Sequence, residues 1–460
     1  MAKLSNKDIN AYSFYSFSSN FGNTMPLSYL NMFLTENLGY GPAVMGSILL
    51  VARILDFSVG LVSGSIFQKT NLKWGKYRSW LIILRWVVFS GITIQFLNTS
   101  ALPMGARVVI TFIGYGMLHF SMNFIQTAQF GVLSSMAGSD MEDRSRLSIR
   151  SSQWTAASMI LTSAVTLPFI TFLAKFIGDS NAFSATAILF ALFMAIGNMV
   201  ISKASEKYDL PAPKDAVSNT KSIKINDLVK SIVTNDQLLV YIIASSIYFI
   251  AIMTVSGIAA YYFIYVLGDR LLMSVQLTVT TAFGLVASLI GPKIGKMLGK
   301  KNAMVYGLFI QAACGVGVAI FAKNSLIVYI VFNCVMSVAR YFFTGFGPNY
   351  VLDTGEYGYY RSGKDYRATA TGLYTIPMKL GMAFGGAISA YGLALIGYKA
   401  GMTATPEFIN NFMWILGGIP AALYALSGLI MLIGYKITDA DAAKYAAANA
   451  EKAKAAAANA

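Results

Sequence analysis

The sequence predicts an all-α membrane protein with twelve transmembrane helices in two six-helix bundles. Of its 460 residues, 56% are hydrophobic and 12% charged, which is far more apolar than a soluble domain. Apolar runs of the ~20 residues a spanning helix needs recur along nearly the whole chain. Lys and Arg collect in alternate connections between those runs, as they do in the short cytoplasmic loops of helical membrane proteins. The short alternating strands of an outer-membrane barrel are not found.

The elements follow in order. Runs near 11–34 and 41–67 end in a basic hairpin with Lys69, Lys73, Lys76 and Arg78. Runs near 79–98 and 105–133 lead to Arg144 and Arg146. Those near 151–174 and 181–202 lead to the longest polar connection, with Lys203, Lys207, Lys214, Lys221, Lys224 and Lys230. Runs near 236–267 and 272–297 precede Lys300 and Lys301, and runs near 304–322 and 325–350 precede Arg361, Lys364 and Arg367. The last two lie near 370–397 and 408–435. The other connections carry isolated cations such as Lys175, Arg270, Lys323 and Lys399. Both termini are therefore expected in the cytoplasm of a multi-pass protein of the cell membrane.

The net charge of +15 reads as topology. No basic face interleaves with aromatic residues in a soluble segment, so nucleic acid is not an expected partner. The polar start MAKLSNKDIN and the lack of a small-residue cleavage site argue against a signal peptide. Cys314 and Cys334 fall inside apolar runs and read as core residues.

The expected domains are an N-terminal bundle over 1–203, a linker over 204–235, a second bundle over 236–437 and a low-complexity tail over 438–460. The tail holds good helix formers without an apolar face and is expected to be solvated or fraying. The halves echo each other: GLVSGSIFQKTNLKWGKYR after Gly60 and GLVASLIGPKIGKMLGKKN after Gly284 both run from a small-residue helix into a basic hairpin. That is the mark of two bundles related by an axis along the membrane normal. Gly60 and Gly64, and Gly381, Gly385 and Gly386, suit close helix approach.

Chemistry concentrates at a few positions. Arg53 and Asp56, three residues apart, share a helix face, and charges at hydrocarbon depth cost several kcal/mol unless paired or hydrated. They form either a coupling site or a structural ion pair. Asp56 is the clear acid at depth, whereas Arg340, Lys379 and Arg150 are further cations in or beside the runs. This imbalance favours an acidic solute that would neutralise one of them. His119, Asn123, Gln126 and Thr127 form one polar helical stripe, which faces either a cavity or another helix. His119 as a proton relay competes with a packing role.

Asn20 and Asn23 suit a polyhydroxylated ligand, through amides that donate and accept, or hydrogen bonds between helices. Trp154 and Tyr374 suit stacking on a sugar or plain packing. Pro377 is expected to kink its helix and aim Lys379 inward. Lys73, Lys76 and Arg78, with Asp353 and Glu356, read as a conformational latch between hairpins and helix ends.

Phosphate-cradling loops, paired histidines at metal spacing and nucleophile elbows are absent from any suitable context. The sequence thus predicts no enzyme, no metal site and no cofactor beyond a coupling ion. The soluble segments are too short for a nucleotide-binding domain.

VARILD ending at Asp56, LKWGKYR after it, SSMAGSDMEDRSRL after the fourth run, and LDTGEYGYYRSGKDYRATATGLYTIPMKLGMAFGGA from Leu352 to Ala387 carry a resemblance. The chain resembles the glycoside, pentoside and hexuronide cation symporters, the melibiose-carrier branch of the major facilitator superfamily. The resemblance implies alternating access around a midplane site and cotransport of a monovalent cation with a sugar-like solute. It implies that Asp56 is the cation-site aspartate and Lys379 the family's lysine on the eleventh helix. Where relatives commonly place a second carboxylate this chain has Gly60. Asn20 stands at the sugar-binding acid of the first helix, and the fourth-helix acid falls near Thr127.

Na⁺ needs several oxygens, so H⁺ is the expected coupling ion and Na⁺ at Asp56 the alternative. The expectation is a secondary active importer of a small sugar-derived or acidic solute: a glycoside, uronide, sugar acid or sulfonate. It is expected to function as a monomer in the bilayer. An uncoupled facilitator, a lipid-type carrier and a non-transporting sensor on the same fold remain open.

Overall fold

In a computed structural model, which describes residues 4–70, 72–138, 140–211, 234–363 and 373–458, every regular element is helical. The chain divides into two compact units. One comprises Met1–Ser222 with Arg270–Thr278 and Lys399–Met402; the other comprises Ile223–Asp269, Val279–Tyr398 and Thr403–Ala460.

The first unit holds α1 (Asn6–Thr24), α2 (Pro42–Lys69), α3 (Arg78–Gln95), α4 (Met104–Ala137), α5 (Met141–Ile177) and α6 (Asp179–Ala204). Beyond α1 the chain winds on through two π-helical turns, Met25–Tyr29 and Phe33–Asn37. Side-chain caps set several starts: Ser5 accepts from the amide of Asp8, and Asp140 accepts from those of Glu142 and Asp143. The Asp140 cap explains why α5 starts ten residues before the apolar run expected at 151. At the start of α6, Asp179 accepts from Arg270 at 2.9 and 2.6 Å and from Asn37 at 2.8 Å, which ties the 270–278 segment to this unit.

The second unit holds α7 (Asp236–Tyr261), α8 (Leu272–Leu298, its first turns counted with the first unit), α9 (Lys300–Phe321), α10 (Leu326–Thr344), α11 (Gly347–Ser362), α12 (Ile376–Leu395), α13 (Pro406–Met413), α14 (Ile419–Gly434) and α15 (Asp439–Ala458). The run expected at 325–350 breaks at Gly345, and α11 restarts with Pro348 in its first turn, where a missing N–H costs nothing.

Glycine sets the packing of α12 on α7. A Cβ at Gly385 would lie 2.7 Å from the carbonyl of Ile250, and one at Gly381 would lie 2.8 Å from that of Phe249. The small-residue stripe is thus a backbone-to-backbone contact, as expected of Gly381 and Gly385. Gly386 meets nothing.

Ten helical segments among the described residues are long and apolar enough to cross a membrane. The runs expected near 11–34 and 79–98 are helical but are not among those ten. Serines, asparagines and tyrosines dilute the first, and Arg78 and Arg85 the second.

The tail departs from expectation. Far from fraying, α15 lies on α11: Asn449, 1% exposed, donates to the Glu356 carbonyl at 2.9 Å and to its Oε2 at 2.6 Å. The Tyr445 ring sits 4.9 Å from Tyr360 and 5.6 Å from Tyr357. Two sparse side chains on one face, Tyr445 and Asn449, replace the apolar stripe that the composition lacks. Lys214, Lys221, Lys224, Lys230, Lys364 and Arg367 lie outside the described residues.

Candidate functional site

The clearest constellation lies in the first unit, between α2 and α4. Tyr115, His119 and Asn123 recur every four residues on α4 and so line one face. Opposite them α2 presents Arg53 and Asp56. Asn123 Nδ2 donates to Asp56 Oδ1 at 2.7 Å and to the His119 carbonyl at 3.1 Å. Arg53 Nη1 donates to His119 Nδ1 at 3.1 Å, and its guanidinium lies 5.0 Å from the Tyr115 ring centroid. Tyr115 and His119 are themselves in ring contact at 4.1 Å.

This geometry has a chemical consequence. Arginine has no acceptor, so Nδ1 of His119 must offer its lone pair, and the imidazole is neutral with its proton on Nε2. The cation is thereby held by a neutral nitrogen and an aromatic face. Asp56, 5% exposed, receives a neutral amide. The two charges expected to pair are thus each engaged by α4.

Thr127 donates to the Asn123 carbonyl at 3.0 Å, and Gln126 is exposed. Among the described residues no cluster of three or more His, Cys, Asp or Glu exists to hold a metal ion. One carboxylate facing one amide N–H offers few oxygens to Na⁺.

Elsewhere in this unit, Asn20 Nδ2 donates to Thr162 Oγ1 at 3.2 Å, joining α1 to α5, and Ser16 meets Ser151 at 2.7 Å. Trp154 lies edge-on to Phe17 at 5.9 Å, beside the contacts of Phe21 with Phe190 and Phe193. Asn23 is half-buried, and Arg150 is exposed in the first turns of α5.

Arg340, Tyr374 and Lys379 belong to the second unit. Arg340, on α10, is half-buried with its Nε shut away from any partner. Lys379 is half-buried on α12, and Tyr374 is 37% exposed. Pro377 stands in the first turn of α12, after a 3₁₀ turn at Leu373–Thr375, so it starts that helix and does not kink it.

The residues read as a latch have partners inside their own units. Arg78 pairs with Glu206 at 3.0 Å, and Asp209 Oδ2 accepts from the amides of Tyr77 and Arg78. Lys76 lies 5.6 Å from the Tyr77 ring and Lys73 is exposed. Asp353 pairs with Lys300, which also meets Asp439 at 3.4 Å, while Glu356 holds Asn449.

Sequence reasoning missed Tyr115, although it extends the His119 stripe by one turn. It also missed Arg85, a lone cation in an apolar run, whose guanidinium lies 5.6 Å from the Trp86 ring. Tyr248 and Tyr424 carried no signal in a chain with 26 tyrosines.

A family model described as MFS/sugar transport protein matches residues 11–439. The isoprimeverose transporter of Lactiplantibacillus pentosus is 28% identical over 445 residues, covering 93% of this chain and 88% of that protein. The glucuronide carrier protein homolog of Escherichia coli (strain K12) is 26% identical over 450 residues, covering 95% and 94%. The inner membrane symporter YicJ of the same strain is 23% identical over 421 residues, covering 89% and 87%. Among solved structures, a nucleoside transporter aligns with a TM-score of 0.64 at 14% identity, covering 94% of this chain and all of that one. A bacterial homologue of the human drug peptide transporters aligns with a TM-score of 0.64 at 11% identity, covering 93% and 97%. At such identities the structural likeness speaks to the fold alone.

Proposed function

This chain belongs to the family of MFS/sugar transport proteins, membrane transporters and not enzymes, and on that premise we propose that it is a cation-coupled importer of a sugar-derived solute. In this reading the ten apolar helices and the two more polar ones, α1 and α3, make twelve spans in two six-helix bundles. The basic hairpins and both termini face the cytoplasm.

The observation that carries the proposal is the arrangement around Asp56. Asp56 is one buried carboxylate that meets one neutral amide N–H, with the neighbouring arginine given to His119, and it offers few oxygens to a metal cation. This supports H⁺ over Na⁺ as the coupling ion. Asn20, Asn23, Gln126, Thr127, Arg150 and Trp154 of the first unit and Tyr374, Lys379 and Arg340 of the second are the proposed solute ligands. Asp353 and Glu356, with the Lys73, Lys76 and Arg78 hairpin, are the proposed latch, exchanging partners as the transporter alternates.

Uptake of radiolabelled sugars into proteoliposomes, with an imposed pH gradient, an imposed Na⁺ gradient or neither, tests the reading. Accumulation driven by the pH gradient is the expected result. Equilibration that ignores both gradients would mean an uncoupled facilitator.

A further inference from the structure

The second unit contains a cation with a buried donor that meets no acceptor. No Asp or Glu occurs from Gln237 to Gly268, from Leu271 to Leu352 or from Leu373 to Pro406. Within that acid-free stretch Arg340 has a buried Nε with no hydrogen-bond partner. One turn further along α10, Phe343 stacks on Tyr248 of α7, with ring centroids 3.9 Å apart. Residues three apart share a helix face, so Arg340 stands on the side of α10 turned to Tyr248.

Tyr248 lies 5.8 Å, ring to ring, from Tyr424 of α14. Both side chains are fully buried, and neither hydroxyl has a partner. The charge of Arg340 acts on both phenols. Two phenol donors, on α7 and α14, thus lie near one guanidinium on α10. A buried donor left without an acceptor costs about 1–3 kcal/mol, more when charged. Guanidinium offers its N–H groups in a fork that fits a carboxylate or another planar oxyanion.

We propose that Arg340, with Tyr248 and Tyr424 behind it, is an oxyanion subsite that takes the carboxylate or sulfonate of a sugar-sized solute. The assignment rests on the reading of the chain as a solute carrier, and it deepens that reading by naming the solute as acidic. Arg340 is half-buried. The two fully buried phenols and the Phe343 ring stacked on Tyr248 keep water from that side of the guanidinium, where charge-assisted bonds are strong.

The test is thermal stabilisation of the purified full-length protein at fixed ionic strength. The probes are three matched pairs: D-glucose and D-glucuronate, D-galactose and D-galacturonate, D-xylose and D-xylonate. In at least one pair the acid is expected to stabilise at a concentration about tenfold lower than its neutral partner. Arg340→Gln should bring that pair to within about twofold, and Tyr248→Phe or Tyr424→Phe should weaken only the acid, by about threefold. If the neutral sugars match or exceed the acids, if no acid stabilises, or if the preference survives Arg340→Gln, the subsite is wrong. Counterflow of the same sugars in proteoliposomes separates the two readings. Flux without acid preference leaves the carrier and removes the subsite, whereas Arg340-dependent acid binding without flux does the reverse.

Discussion

At the scale of single residues, the chemistry turns on which partner Arg53 chooses. Held by His119 and Tyr115, it leaves Asp56 to a neutral amide. Asp56→Asn keeps the shape of the site and removes its proton acceptor, so gradient-driven accumulation should be lost while solute exchange across the membrane persists. Accumulation by that variant in proteoliposomes would remove Asp56 from coupling. His119 separates two roles. As the acceptor for Arg53 it is replaceable by glutamine, whose carbonyl oxygen accepts a bond, so His119→Gln should retain most accumulation and His119→Ala should lose at least about tenfold. Were His119 a relay that itself carries the proton, both variants would fail alike. Asp56 was legible as a lone acid in an apolar run. The diversion of Arg53 was not, because i,i+3 spacing favours the local pair and only helix packing brings His119 into reach.

Elements depend on contacts that composition hides. The alanine-rich α15 carries little apolar surface, yet Tyr445 and Asn449 fix it to α11. Removing residues 439–460 should expose the Glu356 turn and speed hydrogen exchange through 347–362 by at least tenfold, about the 1–2 kcal/mol of the lost bonds. Unchanged exchange would mean that α15 contributes nothing to α11. The α7–α12 contact is less forgiving. Gly385→Val places atoms against the carbonyl of Ile250 and should destabilise the protein by about 3 kcal/mol, measured by thermal unfolding in detergent. Gly386→Ala, which meets nothing, is the matched control and should be near neutral. The glycine stripe was readable from spacing, but its partner helix was not, since period alone does not say which of several apolar helices lies alongside.

At the scale of the whole molecule, each unit closes its own basic hairpin with its own acids: Glu206 and Asp209 in the first, Asp353 and Asp439 in the second. Asp8 adds a pH-dependent clasp to the first. Its Oδ2 meets Ser5 Oγ at 2.5 Å, Tyr208 OH at 2.8 Å and Lys207 Nζ at 2.9 Å. Burial raises its carboxyl, but the bonds from Ser5, Lys207 and Tyr208 outweigh that and hold it below the ordinary carboxylate range. A carboxylate depressed in the folded state contributes stability at neutral pH and loses it as pH falls through the depressed value. Asp8→Asn should therefore lower the unfolding temperature at pH 7, by the equivalent of about 2 kcal/mol, and the difference should shrink as pH drops below the usual carboxylate range. A difference independent of pH would mean that packing, and not ionisation, holds the clasp.

By itself the sequence determined the class of this protein: a helical, multi-pass carrier whose apolar runs, basic hairpins and quoted motifs place it in its family. It did so because burial in lipid imposes length, and topology imposes charge, on local stretches that are read one at a time. The tertiary structure decided the partnerships: His119 for Arg53, Asn123 for Asp56, Glu356 for Asn449, and Arg340 beside Tyr248 and Tyr424. These join residues far apart in the chain, where a side chain's direction and its distance to another helix, not its identity, choose the contact.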